Sequence, residues 1–239
     1  MILVIFAGGL GSRLSEETKF RPKPLVEIGS QPIIWHIMKI YSFYNIKKFI
    51  ICGGYRHQQL SNYFKKIKKE VAKEGWEIKV INTGLRTMTG GRLKRIGNLL
   101  SDNEDFCLTY GDGLSNVNIS KLIKFHKKHK KLATVLAVTP PARFGSLVLN
   151  KNIVKKFEEK ILNSNNWING GFFVLSKKVL KFIRDDKTIW EQEPLKKIAK
   201  NKQLVAYKHK SFWSPMDTLR EKIVLSKMWK KNKAPWKIW

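Results

Sequence analysis

Close to its start the chain combines glycines and cations in a pattern suited to phosphate. The apolar run Ile2-Leu3-Val4-Ile5-Phe6 leads directly into Ala7-Gly8-Gly9-Leu10-Gly11-Ser12-Arg13-Leu14. The run reads as a buried strand, and the glycines behind it let the backbone come close to a bound group. Arg13 and then Arg21-Pro22-Lys23-Pro24 add fixed positive charge. Backbone donors and cations just past a strand hold a phosphate chain, so the pattern implies a nucleotide. A second group is Tyr110-Gly111-Asp112-Gly113, a carboxylate between two glycines at the end of another apolar run. Mg²⁺ takes one or two protein carboxylates plus substrate phosphates, which makes Asp112 a candidate ligand. A plain Asp-Gly turn would use the same residues. Asp217, in Trp213-Ser214-Pro215-Met216-Asp217-Thr218, is the candidate second carboxylate, with helix N-capping as its structural alternative.

Spacing separates this loop from two other phosphate loops. A P-loop ends in Gly-Lys-Ser/Thr, and the chain contains no Gly-Lys pair. A dinucleotide fingerprint needs a third glycine where Leu14 stands and an acidic residue about 20 positions on; Glu27, the nearest acid, does not close a second strand. Covalent catalysis finds no support either. No Ser or Cys stands with a His and a carboxylate in triad-like form, and His36, His57, His126, His129 and His209 share no motif. Those histidines read as structural or surface residues. A phosphoryl centre depends on positioning and charge neutralisation more than on a protein nucleophile.

These residues must be positioned by alternating elements. Helical spacing covers Gln31–Tyr44, and Lys48–Cys52 is a strand. Gln58–Ala72 reads as one amphipathic helix and Trp76–Ile81 as a strand. Thr89 can cap a helix running to about Leu100, followed by a strand at Asp105–Tyr110, a helix at Ile119–Lys128 and a strand at Ala133–Val138. The later part is less regular. Strands are expected at Gly145–Leu149, Ile153–Glu158, Gly171–Leu175 and Leu204–Tyr207, and helices at Lys177–Ile183 and Pro194–Ala199. A closing helix at Thr218–Trp229 is expected to be capped from Asp217. The alternation predicts an α/β fold: one Rossmann-like domain over 1–239, with a mostly parallel (mixed) central sheet flanked by helices and an elaborated second half. Ligands of such sheets bind at the carboxyl ends of strands, where Gly8–Arg13 and Gly111–Gly113 fall.

Composition narrows the classes further. Apolar residues make up 43% of 239, enough for a large core. No apolar run nears the ~20 residues of a membrane span, and the start lacks the basic region of a secretory signal. Cys52 and Cys107 each lie in apolar strand-like runs, which suits reduced core thiols in a cytoplasmic protein. The net charge of +29 raises nucleic-acid binding, but only nine of the 47 cations are arginine. Base readout and bidentate phosphate contacts favour arginine, so scattered lysine reads as solvated surface and no nucleic-acid partner is expected.

The glycine loop with Pro22-Lys23-Pro24 resembles the signature of sugar-nucleotide pyrophosphorylases, whose usual form has Thr where Ser12 stands. Further motifs stand in order: Met88–Arg95 (MTGGRLKR), Tyr110–Gly113, Arg143-Phe144-Gly145, Ile168–Phe173 (INGGFF), Trp190–Pro194 (WEQEP), Pro215–Arg220 (PMDTLR) and Lys233–Lys237 (KAPWK). Together they resemble the CDP-glucose-forming branch of that family, the glucose-1-phosphate cytidylyltransferases. The resemblance implies a nucleotide held by Ala7, Gly8, Gly9, Gly11 and Ser12, with Arg13 and Lys23 as the catalytic cations on its phosphates. It implies Thr89 and Arg92 on the nucleotide side, Arg92 near the cytosine. Asp112 would serve the nucleotide too, sharing Mg²⁺ with Asp217. Gly145, Glu159, Lys160, Asn169 and Gly170 would hold the sugar phosphate. Residues up to about 130 would form the nucleotide-binding part and those from about 131 the sugar-phosphate part. CTP and a sugar 1-phosphate would be the partners, with no nucleic acid or membrane, in a homo-oligomer. An oxygen of the sugar phosphate would attack the α-phosphorus in line. Two departures stand out: Ile161 replaces the proline expected after Glu159-Lys160, and the stretch before Trp76 is about twenty residues short, a change that surface loops tolerate at little cost.

Overall fold

The computed structural model describes residues 1–140, 146–158 and 166–239, with the side chains at 146–149 and 156–158 outside that description. Its strands are β1 Ile2–Ala7, β2 Glu27–Ile28, β3 Gln31–Pro32, β4 Lys48–Gly53, β5 Glu77–Asn82, β6 Phe106–Tyr110, β7 Gly113–Ser115, β8 Ala133–Val138, β9 Ser146–Asn150, β10 Ile153–Glu158, β11 Ile168–Leu175, β12 Leu204–His209 and β13 Trp213–Pro215. Its α-helices are α1 Ser15–Thr18, α2 Ile33–Phe43, α3 His57–Lys66, α4 Lys68–Glu74, α5 Thr89–Arg95, α6 Ile119–His129, α7 Glu193–Lys200 and α8 Leu219–Lys230.

Seven strands form the main sheet in the order β12-β8-β11-β6-β1-β4-β5. All neighbours are parallel except β11, which runs antiparallel to both β6 and β8. This is the mixed, mostly parallel sheet that the alternation implied. Strand β1 explains why both faces need helices. Leu3, Ile5 and Ala7 point into one apolar cluster, and Val4 and Phe6 into another, as a period of two requires. The first cluster takes Ile33–Tyr41 of α2, Leu60 of α3, Leu122 of α6 and Leu225 of α8. The second takes Leu93 of α5, Val179, and Ile198 of α7. Cys52 and Cys107 are both buried and free, one in each cluster, as expected for core thiols.

Several local expectations change. The helix expected from Gln58 breaks at Ile67 into α3 and α4. The break falls inside Lys65–Lys69, where four lysines place like charges three and four residues apart. The shortened crossover into β5 then closes through Gly75, at φ 69, with the Trp76 N–H donating to the Val71 carbonyl at 3.0 Å. Residues Lys177–Phe182 form a 3₁₀ turn rather than an α-helix. Thr89 does not cap α5; the N-cap is Met88, without a side-chain bond, and the Thr89 hydroxyl is engaged elsewhere. Among the described residues no helix is long and apolar enough to cross a membrane.

The segment after α8 folds back over α2. Trp35, Trp229, Trp236 and Trp239 surround His36, their ring centroids 4.5–6.4 Å from the imidazole. The His36 Nε2 donates to the Ile28 carbonyl at 3.0 Å, so its Nδ1 is free to accept from the Trp236 indole N–H at 3.4 Å. Burial pushes the His36 pKa down to about 4, against the small opposing effect of its backbone hydrogen bonds. The sign follows: the stability this neutral imidazole contributes is complete above pH 6.5 and is lost as pH falls from 6.5 towards 4, by on the order of 3 kcal/mol. Urea unfolding at pH 7 and pH 4.5 should therefore show a shallower pH dependence for His36→Gln than for the natural chain. Equal losses in both would contradict a buried neutral imidazole.

Candidate active site

The sheet order reverses direction at β1. From β1 the chain goes to β4 and β5 on one side, then returns to place β6 on the other. The carboxyl ends of β1 and β6 therefore open into the crevice where doubly wound sheets bind ligands. A cleft of about 1450 Å³ lies there. Single-ligand pockets typically measure ~300–1,000 Å³, so this one has room for two substrates.

The loop after β1 turns through Gly11, whose φ of +68° suits glycine, into a 3₁₀ turn at Ser12–Leu14. Pro22 then leads into a second 3₁₀ turn at Lys23–Leu25, which directs a largely buried Lys23 side chain back under the loop. On the β6 side, Gly111 packs so closely on the Phe6 carbonyl that a Cβ would stand 2.7 Å from it. The next strand pair makes the site. Strand β7 pairs antiparallel with β13, setting Gly113 opposite Pro215, and the Met216 N–H donates to the Asp112 carbonyl at 2.8 Å. This three-residue ladder brings Asp112 and Asp217 side by side from 105 positions apart in the sequence.

Lys23 lies between them. Its ammonium is 2.6 Å from Asp112 Oδ2 and 2.6 Å from Asp217 Oδ1, so those oxygens are at most 5.2 Å (twice 2.6) apart. Arg13 Nη1 takes the other Asp217 oxygen at 2.6 Å. Two cations thus face two carboxylates. Burial works to lower the Lys23 pKa, but attraction and hydrogen bonding to Asp112 and Asp217 outweigh it and raise the pKa above its ordinary value. The expected capping of α8 by Asp217 is not found. Thr218 is the N-cap, in a capping box with Glu221, and the Asp217 backbone N–H donates to Glu221 Oε2 at 2.7 Å. The Asp217 carboxylate is thereby left for the cleft.

Among the described residues no cluster of three or more His, Cys, Asp or Glu could hold a metal ion. Two carboxylates that converge on the Lys23 ammonium are nonetheless the donor set that Mg²⁺ takes when substrate phosphates supply further oxygens. At Mg–O distances near ~2.1 Å, two such oxygens lie ~3–4 Å apart, a separation the present pair could reach. The chemistry of these donors fits the ion.

Arg92 is buried in the wall of the cleft, where its guanidinium donates to oxygens of three neighbouring turns. Its Nη1 reaches the Gly53 carbonyl at 3.0 Å, Thr83 Oγ1 at 2.7 Å and the Gly84 carbonyl at 2.8 Å, and its Nη2 reaches the Gly8 carbonyl at 3.0 Å. A Cβ on Gly8 would stand 2.2 Å from Nη1, and one on Gly54 2.4 Å. Gly8 thus leaves space for the guanidinium, which ties the loop after β1 to the ends of β4 and β5.

The other expected residues gather on this cleft: Ala7, Gly8, Gly9, Gly11 and Ser12 from the first loop, Thr89 and Arg92 from α5, and Asn169 and Gly170 from β11. Gly145, Glu159, Lys160 and Ile161 lie outside the described residues, so the structure does not bear on them. Trp213 and Glu191 are among the lining residues that had no role in the sequence reading. Trp213 donates its indole N–H to the Gly170 carbonyl at 2.7 Å. Glu191 accepts from both Tyr110 and Thr89. Glu191 stands inside the noted Trp190–Pro194 motif, but nothing in its spacing points at Tyr110, 81 positions away.

The nucleotidyl transferase family model matches residues 2–218. The glucose-1-phosphate cytidylyltransferase of Salmonella typhimurium is 48% identical, with 100% of both chains covered. That alignment spans 256 positions for the 239 residues here, a difference of 17, close in size to the expected shortening. The mannose-1-phosphate guanyltransferase of Saccharomyces cerevisiae is 30% identical over 93% of this chain and 62% of its own. Among solved structures, UDP-glucose pyrophosphorylase complexed with UDP-glucose matches with a TM-score of 0.74, covering 97% of this chain and 98% of that one. At 16% identity that match speaks for the fold.

The Arg92 contacts carry a prediction. Removing hydrogen bonds of a charged group typically costs more than 1.4 kcal/mol, so Gly8→Ala and Arg92→Ala should each weaken nucleoside triphosphate binding at least about tenfold in calorimetric titration. The double variant should be no weaker than the worse single, because both disturb one guanidinium. Additive losses would contradict the clamp.

Proposed function

The chain belongs to the nucleotidyl transferase family, and on that premise we propose that it transfers a cytidylyl group from CTP to glucose 1-phosphate, giving CDP-glucose and pyrophosphate. The observation that carries this reading is the identity of 48% with the Salmonella cytidylyltransferase over the full length of both chains. The cleft supports it: phosphate-binding cations, two carboxylates and room for two substrates meet at the switch point.

The reaction needs one bond made and one broken. An oxygen of the glucose 1-phosphate attacks the α-phosphorus of CTP, and the bond from that phosphorus to the bridging oxygen of the leaving pyrophosphate breaks. Two anions must approach each other, so the work of the site is neutralisation and alignment. Arg13 has its side chain 72% exposed and can follow the phosphates. Lys23 is held more deeply and supplies a fixed charge. The Gly8–Gly11 backbone, fastened by Arg92, cradles the triphosphate. Asp112 and Asp217 would hold Mg²⁺. When bound, that ion neutralises charge on the α-phosphate and the departing pyrophosphate. No protein nucleophile is required: His36 is buried under tryptophans, and both thiols are pushed up to about 12 by burial.

A panel of nucleoside triphosphates and sugar 1-phosphates, read by pyrophosphate release, tests the reading. CTP with glucose 1-phosphate should give the highest kcat/KM, and another pair in first place would overturn the substrate assignment. Asp112→Asn should remain folded and lose about 10²–10³ in kcat. Near-normal turnover in that variant would remove Asp112 from the metal site.

A further inference from the structure

Glu191 faces the cleft from the turn before α7 and, among the described residues, makes its contacts to hydroxyls rather than to a cation. Tyr110 Oη donates to Oε1 at 2.6 Å, and Thr89 Oγ1 donates to Oε2 at 2.7 Å. A hydroxyl has one proton, and a carboxylate only accepts. Both hydroxyl oxygens are therefore restricted to accepting from any third group. Each has such a group: the Trp190 backbone N–H donates to Thr89 Oγ1 at 2.9 Å, and Asn169 Nδ2 donates to Tyr110 Oη at 3.2 Å. The Asn169 Oδ1 accepts from the Gly171 N–H at 2.8 Å.

This chain of bonds has a direction, on which its two ends agree. The Gly171 N–H can only donate and takes the Asn169 oxygen, and Tyr110, whose proton goes to Glu191, takes the Asn169 nitrogen. Burial, with the negative charge of Glu191 second, raises the Tyr110 pKa well above that of an ordinary tyrosine, so the hydroxyl keeps its proton. Thr89 is tied at both its donor and an acceptor position and serves as an anchor for Glu191. Asn169 is the exposed end of the chain. It lies on β11, where the register with β8 breaks after Asn169. In the sheet, β11 is across β6 from the β1 loop that faces the triphosphate. Among the described residues, one amide N–H and one oxygen lone pair of Asn169 are unassigned. A phosphate needs donors and positive charge, whereas a sugar hydroxyl both gives and accepts a hydrogen bond. An amide presenting one of each in fixed order suits the hydroxyl.

We propose that Glu191 is a positioning residue for the acceptor substrate: acting through Tyr110, it holds the Asn169 amide in the one orientation that pairs with hydroxyls of the sugar 1-phosphate. The proposal rests on the reading that a sugar 1-phosphate is the acceptor. It accounts for a carboxylate at the cleft wall with two hydroxyl donors, a role distinct from that of Asp112 and Asp217.

Glu191→Gln tests it, since one acceptor oxygen becomes a donating NH₂ and the Tyr110–Asn169 polarity loses its anchor. Losing one oriented hydrogen bond at the acceptor should raise the KM for glucose 1-phosphate about tenfold, with kcat and the KM for CTP each within about twofold of the natural enzyme. Tyr110→Phe should act in the same direction, and the double variant should be no worse than Tyr110→Phe alone. A merely structural role would move both KM values together, or lower kcat, or make the double variant additive; any of these overturns the proposal. Tyr110→Phe keeps the test decisive if Glu191→Gln fails to fold. The natural enzyme assayed alongside separates the two levels. Should it prefer a different substrate pair, the functional reading fails, while the same variant series still reports on Glu191 through the KM of that pair's acceptor.

Discussion

Two carboxylates sharing one small space need a cation between them, and the cleft is organised around that need. Asp112 and Asp217 face the same Lys23 ammonium at 2.6 Å each. Without it, their mutual repulsion in a partly buried site would weaken the contact that joins the β6 loop to the start of α8. Arg13 closes the charge balance from the solvent side. The cations and carboxylates of a phosphoryl-transfer site therefore hold one another in place before substrate enters. Such preorganisation is what an electrostatic catalyst requires, because groups already aligned need not reorganise as charge develops.

Backbone geometry makes that balance possible. The sheet order reverses at β1, so two loops with little else in common open into one crevice. The short β7–β13 ladder then fixes the spacing of the aspartates, and the capping box at Thr218 relieves Asp217 of a backbone duty that would compete for its lone pairs. On the other flank Arg92 fastens the phosphate loop from behind. Glu191 orders the hydroxyl and amide groups of β6, α5 and β11. Apart from the local capping box, each device is a hydrogen bond or ion pair between distant segments at the cleft.

The sequence carried the parts that depend on local pattern. The alternation of strand and helix was legible because buried strands such as Ile2–Phe6 and Ala133–Val138 are nearly continuous apolar runs, whereas Gln31–Tyr44 repeats its apolar residues at helical spacing. That the first glycine loop, Lys23 and both aspartates meet in one cleft followed from the ordered motifs taken together, since a turn or a helix cap would locally account for Asp112 or Asp217 alone. The β7–β13 pairing was not, since Gly113–Ser115 and Trp213–Pro215 are too short to show a period and pair across about 100 residues. The cap of α8 was expected at Asp217; Thr218 takes it instead, through a capping box that depends on the reach of the Glu221 side chain. Arg92 was expected on the nucleotide side, but its grip on the Gly8, Gly53 and Gly84 carbonyls had no local sign, because it depends on three turns meeting in space. Tyr110 and Glu191 lay in noted motifs without any local sign that they touch.

The most direct measurement is the structure of the protein with a non-hydrolysable CTP analogue and Mg²⁺. The account predicts a triphosphate along the Gly8–Gly11 backbone, within hydrogen-bonding reach of Arg13 and Lys23, with the Asp112 and Asp217 carboxylates facing its α-phosphate. An analogue bound elsewhere, or bound there with either aspartate turned away from the phosphates, would contradict it.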